Sequence, residues 1–224
     1  MRLLHFVFDL PLERRDIAGF RAAVSRAAGF EEDLFHNHRP DGSVQYRYPM
    51  VQYRCERGKA AVIGIDDGVE AIANWFPKSN SLLFNGVEHP LRVAGLEMQQ
   101  HEIVYHPEPR SYRLYQWLAL NQEHYREWAA LPDLAARAAA LERALVAHIL
   151  TFCRAVNWRL PQRLEVSIVS IGATYRTRLL GNDLVAFDLS FRSNLRIPAH
   201  IGLGKGASHG FGVCKPERKR REPT

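Results

Sequence analysis

Two histidines and a tyrosine lie close together in a polar stretch of the chain, as His36, His38 and Tyr46. In an extended segment, side chains two residues apart point to the same side, so both imidazoles would face one substrate. Histidine exchanges a proton readily near neutral pH, and tyrosine can stabilise charge that develops on a phosphate. Cleavage of RNA by its own 2′-hydroxyl needs a base, an acid for the leaving 5′-oxygen and donors to the phosphorane. These three residues are therefore a candidate catalytic set for metal-independent RNA cleavage.

The same residues allow two other interpretations. Histidines in a loop are often surface residues, and tyrosines in a strand often pack a sheet. A histidine pair can also bind a metal, but no nearby carboxylate or cysteine completes a set of ligands. The three cysteines, Cys55, Cys153 and Cys214, form no CxxC pair, which argues against a zinc cluster and a disulfide scaffold. We expect a reducing compartment, no metal and no cofactor.

A glycine-rich stretch at residues 197–215 is the second candidate site, since five of the chain's fifteen glycines lie between Gly202 and Gly212. Glycine adopts positive φ and lets other groups approach the backbone, so this loop could bind a nucleotide phosphate or an RNA backbone. A hinge without a ligand is the alternative. Valine at Gly204 or Gly206 should weaken RNA binding while leaving the fold largely intact. The RNA-binding candidates are Gly202, Gly204, Lys205, Gly206, Ser208, His209, Gly210, Phe211 and Gly212, with Arg176 and Arg178 on one face of a predicted strand.

The balance of charge indicates a polyanionic partner. The formal net charge is +6 and the isoelectric point is about 9.4. Arginine accounts for 25 of the 30 basic residues, and its planar guanidinium suits phosphate and can stack on bases. Part of the excess lies in the tail Lys215–Thr224, which could bind any polyanion weakly. No stretch has the ~20 apolar residues of a membrane span and no signal-peptide pattern begins the chain, so we expect a cytoplasmic protein.

The first half of the chain alternates strand and helix patterns. Ile17, Phe20 and Val24 lie on one face of the first predicted helix. A tyrosine-rich strand over Val44–Glu56 is interrupted by Pro49, which indicates a sheet edge or a bulge. The order is strand, helix, strand, strand, helix, strand, and this is the order of the ferredoxin-like unit.

The second half has the pattern of a modified copy of this unit. It predicts a strand, a short helix, a longer helix with Pro132 at its first position, and three further strands. Pro107 and Pro109 indicate a linker. We therefore expect an α+β protein with domains at residues 1–108 and 109–224. The three strands are predicted over Leu164–Ile171, Tyr175–Leu180 and Leu184–Phe191.

The spacing inside the glycine-rich loop is more specific than its composition. Ile-Gly-Leu-Gly, a gap of five residues and Gly-Phe-Gly-Val resemble the glycine-rich loop of the RAMP superfamily of CRISPR-associated proteins. Within that superfamily, the chain resembles the repeat-RNA-processing endoribonucleases over about residues 1–215. The resemblance implies two tandem ferredoxin-like (RNA-recognition-motif-like) domains, the second modified and ending in the glycine-rich loop.

The resemblance also has implications for the chemistry. Members of the family usually carry an active-site histidine after the first helix or near the second strand, often assisted by a tyrosine or a lysine. His36 and His38 occupy that place and Tyr46 is the nearest matching tyrosine, whereas no lysine lies nearby before Lys59. The implied reaction is metal-independent cleavage within CRISPR repeats, which leaves 2′,3′-cyclic phosphate and 5′-hydroxyl ends.

Two other functions stay open from the sequence. One is a non-catalytic RNA-binding subunit of a CRISPR effector complex, and the other is a metal-dependent nuclease that uses His36 and His38. The implied partners are CRISPR repeat RNA and subunits of an effector complex. The chain itself would be a monomer or a homodimer.

Overall fold

The structure, a computed structural model, describes residues 1–29, 33–35 and 47–217. Across these residues, no helix combines the length and the apolar run that crossing a bilayer requires. The strands are β1 (Arg2–Pro11), β2 (Val51–Glu56), β3 (Lys59–Ile65), β4 (Ser81–Phe84), β5 (Val87–Pro90), β6 (Val93–Gln100), β7 (Tyr105–Trp117), β8 (Val166–Leu179), β9 (Asn182–Leu195) and β10 (Val213–Pro216). The α-helices are α1 (Ile17–Ala28), α2 (Asp67–Trp75), α3 (Gln122–Ala129) and α4 (Leu134–Ala155).

The chain divides into two compact units, and each has its own four-stranded sheet. The first unit holds Met1–Glu102 together with Ser208–Gly210. The second holds Ile103–Ala207 and the chain from Phe211 onward. A short segment of the glycine-rich loop is therefore grouped with the first unit, although the rest of that loop belongs to the second.

The expected boundary between residues 108 and 109 falls inside β7. Pro107 and Pro109 lie within this strand and do not form a linker. The pairing of β7 with β9 shifts register between Tyr105 and Arg110. A strand tolerates proline at such an irregularity, because the missing N–H would have had no regular partner there.

The first unit is a ferredoxin-like domain. Its sheet has the order β2-β3-β1-β6 with antiparallel neighbours, and the β4–β5 hairpin precedes β6. Phe6 and Phe8 of β1 join a core to which α1 contributes Ile17, Phe20 and Val24, so the face predicted for this helix is confirmed. The rings of Phe8 and Phe20 meet edge to face with centroids 6.2 Å apart.

The sequence predicted Pro49 inside a strand and Pro132 inside a helix, but each of these prolines lies before its element. β2 is an edge strand, as predicted, but it begins at Val51, so Pro49 lies before it. Pro132 is not the first residue of α4, because Asp133 caps this helix and its side chain accepts a bond from the backbone N–H of Ala136 at 2.7 Å. Pro132 therefore lies before the cap.

The second unit repeats the sheet order in modified form, as β10-β7-β9-β8. The helices α3 and α4 form the crossover between β7 and β8. The connection between β9 and β10 is the glycine-rich loop, which contains a short 3₁₀ turn at Ala207–His209 where a regular ferredoxin-like unit has its second helix. The apolar face of α4 is buried as predicted, through Leu141, Leu145, Ile149 and Phe152.

One long strand, β8, replaces two of the predicted strands. The sequence placed a break between Ile171 and Tyr175, whereas β8 runs without interruption beside β9. Its register shifts between Ile171 and Thr174, and Gly172 lies in this irregular part. The interrupted pattern therefore reflects a bulge in one strand, because a bulge changes which residues face each side without ending the strand.

Candidate functional site

The candidate catalytic residues His36, His38 and Tyr46 lie outside the described residues. The structure describes the residues on both sides of this segment, which are Phe35 before it and Arg47 after it. Phe35, directly before His36, has a buried side chain. The centroid of its ring lies 5.7 Å from that of Trp75.

The backbone carbonyl of Phe35 is held by two side chains. Ser25 Oγ of α1 donates to it at 2.8 Å, and the hydroxyl of Tyr53 of β2 donates at 3.3 Å. Burial raises the pKa of Tyr53 far above its usual value, so this hydroxyl stays protonated and remains a donor at neutral pH. The chain thus leaves Phe35 toward the candidate catalytic histidines from a point fixed by a helix and a strand.

The chain emerges from the segment into a buried polar network. Gln52 Nε2 donates to the hydroxyl of Tyr48 at 3.0 Å and to the carbonyl of Pro49 at 3.1 Å. Arg54 donates to the carbonyl of Tyr53 at 2.8 Å. Burial lowers the pKa of Arg54 to about 10, so its guanidinium is still charged at neutral pH. A buried positive charge therefore lies in the strand that follows the candidate catalytic segment.

The glycine-rich loop is packed rather than open. Lys205 of this loop is exposed, so its charge is accessible to a polyanion. The predicted RNA-binding residues that are buried are Gly202, Ser208, Gly210 and Gly212, and those that are half-buried are Gly204, Gly206, His209 and Phe211.

Gly204 shows why this loop needs glycine. Its φ is +81°, and a Cβ added to it would lie 2.7 Å from Trp117 Nε1 and 2.8 Å from His148 Nδ1. Gly206 has a φ of +68°, and its added Cβ would lie 2.9 Å from the ring of Phe211. Valine at either glycine would both strain the backbone and overlap packed side chains. The expectation that these valine variants keep the fold intact is therefore wrong.

His148 of α4 is a residue that the sequence did not single out. Trp117 Nε1 donates to its Nδ1 at 3.1 Å, so the proton of the neutral ring is on Nε2. Burial, and secondarily the charge of Lys205, lower its pKa to about 4. His148 is thus neutral at pH 7 and lies beside the loop residue Gly204. Its position on a mostly apolar helix gave no signal of this role.

His209, a histidine of the loop itself, also has a shifted pKa, and it belongs to the first unit. Burial, followed by the charge of Arg21, lowers its pKa to about 4. Its Nδ1 lies 3.0 Å from Ser208 Oγ. Arg14 donates to the carbonyl of Gly210 at 3.0 Å and so holds the backbone next to this histidine. His209 is therefore neutral at pH 7.

A cavity in the second unit brings together side chains that the sequence did not connect. Its volume is about 730 Å³, and it lies between α3 and the β8–β9 hairpin. Arg176 and Arg178, two of the residues predicted to contact RNA, line it together with Tyr125 and Arg126 of α3. The cavity contains none of the glycine-rich loop. Of the predicted RNA-binding residues, this cavity therefore has only Arg176 and Arg178 in its lining.

Two ferredoxin-like domains in tandem are the fold that this chain shares with solved structures of Cas6 proteins of CRISPR systems. Residues 1–102 match the family model of the Cas6b N-terminal domain, and residues 104–216 match that of the Cas6b C-terminal domain. The chain belongs to the Cas6b family, since the models of both Cas6b domains match it over almost its whole length.

Solved structures have the same fold over almost the whole chain. A crystal structure of Cas6b is 21% identical, with a TM-score of 0.84 over 97% of this chain and 100% of its own. The CRISPR RNA processing endoribonuclease Cas6b is 18% identical, with a TM-score of 0.72 over 97% and 100% of the two chains. Csf5, a Cas6 crRNA endonuclease of CRISPR-Cas type IV, is 14% identical, with a TM-score of 0.59 over 97% and 99%.

A curated relative is an uncharacterized protein of Methanocaldococcus jannaschii. It is 29% identical over 96 residues, which are 43% of this chain and 64% of the relative. The match therefore spans less than two thirds of that protein's length.

Proposed function

We propose that this protein cleaves precursor CRISPR transcripts within their repeats. The observation that carries the proposal is the match of both halves of the chain, residues 1–102 and 104–216, to the two domains of Cas6b. The excess of arginine over lysine among its basic residues supports RNA as the substrate.

The proposed chemistry is metal-independent attack by the RNA on itself. One of His36 and His38 takes the proton of the 2′-hydroxyl, whose oxygen then attacks the adjacent phosphorus. The other histidine gives a proton to the leaving 5′-oxygen, and Tyr46 donates to the phosphorane oxygens. The bond from phosphorus to the 5′-oxygen breaks, so the products are a 2′,3′-cyclic phosphate and a 5′-hydroxyl.

The contacts of Phe35 support this assignment of the histidines. Catalysis by a side chain requires a reproducible position, because small displacements of an acid or base cost much of its rate. Ser25 and Tyr53 both hold the carbonyl of the residue that precedes His36. The start of the proposed catalytic segment is thus anchored on two elements of the first unit.

RNA binding is assigned to two surfaces. Lys205 is an exposed cation of the glycine-rich loop, and its neighbours Gly204 and Gly206 keep the loop in place. Arg176 and Arg178 supply the second surface, on β8. We expect the substrate partner to be CRISPR repeat RNA, and copurification with effector-complex subunits would extend the proposal to such an assembly.

The decisive experiment is single-turnover cleavage of a repeat RNA in excess EDTA, with analysis of the product ends. We expect full activity and a 2′,3′-cyclic phosphate. A matched RNA with a single 2′-deoxynucleotide at the cleavage site should bind equally and stay uncut, because the nucleophile is missing. Activity that EDTA abolishes and added magnesium or zinc restores would contradict the metal-independent mechanism. Tight binding without any cleavage would support a non-catalytic RNA-binding subunit instead.

A further inference from the structure

We propose that the cavity of the second unit is a pocket for one unpaired nucleotide of the RNA; this inference rests on the function proposed above. The pocket is formed by the first turns of α3 and by the β8–β9 hairpin. Its volume of about 730 Å³ lies within the ~300–1,000 Å³ that is usual for small-ligand sites.

The charged lining of the pocket favours an anion. Three guanidiniums, those of Arg126, Arg176 and Arg178, share the pocket with the single carboxylate of Asp183. Arg178 Nε lies 3.8 Å from Asp183 Oδ1. Among the described residues, Arg126 and Arg176 have no ion-pair partner. Two guanidiniums are therefore available, and their planar N–H groups match the oxygens of a phosphate.

The aromatic wall of the pocket favours a base beside that phosphate. The half-buried ring of Tyr125 packs on Trp128 and Phe187, with centroids 5.6 Å and 6.2 Å apart. Trp128 and Phe187, which are not part of the pocket lining, thus support the ring of Tyr125. Leu184 and Val185 extend the apolar lining. A supported ring next to arginines can stack a splayed-out base while its backbone is neutralised. The arginines and the ring of Tyr125 together favour a nucleotide over a bare phosphate ion.

The N-terminal end of α3 lies at the same pocket. Asn121 caps the helix by accepting from the backbone N–H of His124 at 2.7 Å. Gln122 Nε2 donates to the carbonyl of Asp183 at 2.9 Å and so ties the helix to the hairpin. The walls of the pocket are thus joined to each other, and the positive end of the helix dipole adds to the attraction for a phosphate.

The first test measures repeat-RNA affinity at several salt concentrations for Arg126→Ala and Arg176→Ala. Arg143→Ala is the matched control, because Arg143 is an exposed arginine of α4 outside the pocket and its loss changes the net charge equally. For each pocket variant, the slope of log affinity against log salt should fall by about 0.7, the value for one phosphate contact of a single strand. The control should keep the slope of the wild-type protein.

The second test locates the base by combining Tyr125→Leu with a scan of abasic positions through the repeat RNA. Loss of one stack should weaken binding roughly 5- to 150-fold. At one position in the repeat, removing the base should weaken binding to the wild-type protein. The same abasic RNA should bind Tyr125→Leu about as well as the intact RNA does, because both changes remove the same contact.

The outcomes separate this inference from the proposed function. The pocket proposal is overturned if the pocket variants behave as Arg143→Ala does. It is also overturned if no abasic position is coupled to Tyr125. Either result counts against the pocket even when the wild-type protein cleaves repeat RNA normally. A wild-type protein that binds no repeat RNA overturns both. Single-turnover cleavage by the control Arg143→Ala should keep the wild-type rate, because Arg143 lies outside the pocket.

Discussion

Trp117 Nε1 donates a hydrogen bond to His148 Nδ1 at 3.1 Å, and the two rings meet edge to face with centroids 5.6 Å apart. This pair joins the end of β7 to α4 and forms the surface on which Gly204 packs. The glycine-rich loop is thus held against a specific aromatic pair, and its glycine content reflects this close approach. Lys205, the next residue, forms an isolated antiparallel bridge with Leu118.

Alanine at Gly204 should destabilise the protein more than alanine at Gly181. Both glycines have positive φ, +81° and +83°, so both variants strain the backbone. At Gly204 the added Cβ would overlap Trp117 and His148. At Gly181 nothing lies within 4 Å of the added Cβ. The difference between the two free energies of unfolding should be about 1–3 kcal/mol, the usual cost of overpacking. Urea unfolding measures both variants, and equal losses would mean that the pair does not confine the loop.

Protonation of His148 should destabilise the protein as the pH falls. Its pKa is lowered to about 4 in the folded protein, from 6.5 in the reference state, so between these values the unfolded chain binds more protons than the folded one. The stabilising contribution is therefore complete above about pH 6.5 and is lost progressively toward pH 4. One such group gives a slope of at most about 1.4 kcal/mol per pH unit.

The measurement is the free energy of unfolding against pH for His148→Gln, whose amide oxygen can still accept from Trp117. The slope between about pH 4 and pH 6.5 should be shallower than in the wild-type protein. His209→Gln should also reduce it, because the pKa of His209 is lowered to about 4 by burial and by Arg21. If the variant with both His148→Gln and His209→Gln keeps the wild-type slope of unfolding free energy against pH, neither histidine is buried in its neutral form.

Ser25→Ala should slow RNA cleavage although Ser25 has no part in the proposed proton transfers. The variant removes the 2.8 Å bond to the carbonyl of Phe35, the residue before His36. The expected loss of stability is about 1 kcal/mol. Ser79→Ala is the matched control in the same unit, because Ser79 Oγ also donates to a backbone carbonyl, that of Trp75, at 3.3 Å.

Stability by urea unfolding and single-turnover cleavage should be compared for these two serine variants. We expect similar, modest losses of stability and a reduced cleavage rate for Ser25→Ala alone. Tyr53→Phe should resemble Ser25→Ala, since it removes the second bond to the same carbonyl. Cleavage at the wild-type rate in both would show that the anchoring of Phe35 is irrelevant to the chemistry.

Alanine at His36 or at His38 should slow the chemical step by roughly 10²–10⁴-fold, the range for a positioned acid or base. RNA affinity should change far less, and Tyr46→Phe should have a smaller effect because it removes one hydroxyl. The double histidine variant should lose less than the combined single losses if the two act as a unit. Single-turnover rates at saturating enzyme separate chemistry from binding. Unchanged rates in both single variants would move the active site, with His209 as the next candidate.

Local sequence determined most of the elements and their order. The spacing of Ile17, Phe20 and Val24 specified the buried face of α1, because that face repeats every three to four residues. The order strand, helix, strand, strand, helix, strand indicated the ferredoxin-like unit, and the observed order β2-β3-β1-β6 confirmed it. The spacing of glycines near the C-terminus indicated the family, and the domain matches confirmed it. The roles of His36, His38 and Tyr46 stay predictions, since these residues lie outside the described part of the chain.

Tertiary structure decided which distant side chains meet. Trp117 and His148 are 31 residues apart, and their hydrogen bond depends on how α4 is rotated against β7, which no local pattern encodes. Arg126 of α3 joins Arg176 of β8 in one pocket for the same reason. The sequence predicted that the glycines of the loop let a ligand approach the backbone, whereas the groups that approach Gly204 are the side chains of Trp117 and His148. A residue's own conformational range is local chemistry, whereas the space around it is set by the other elements that pack there.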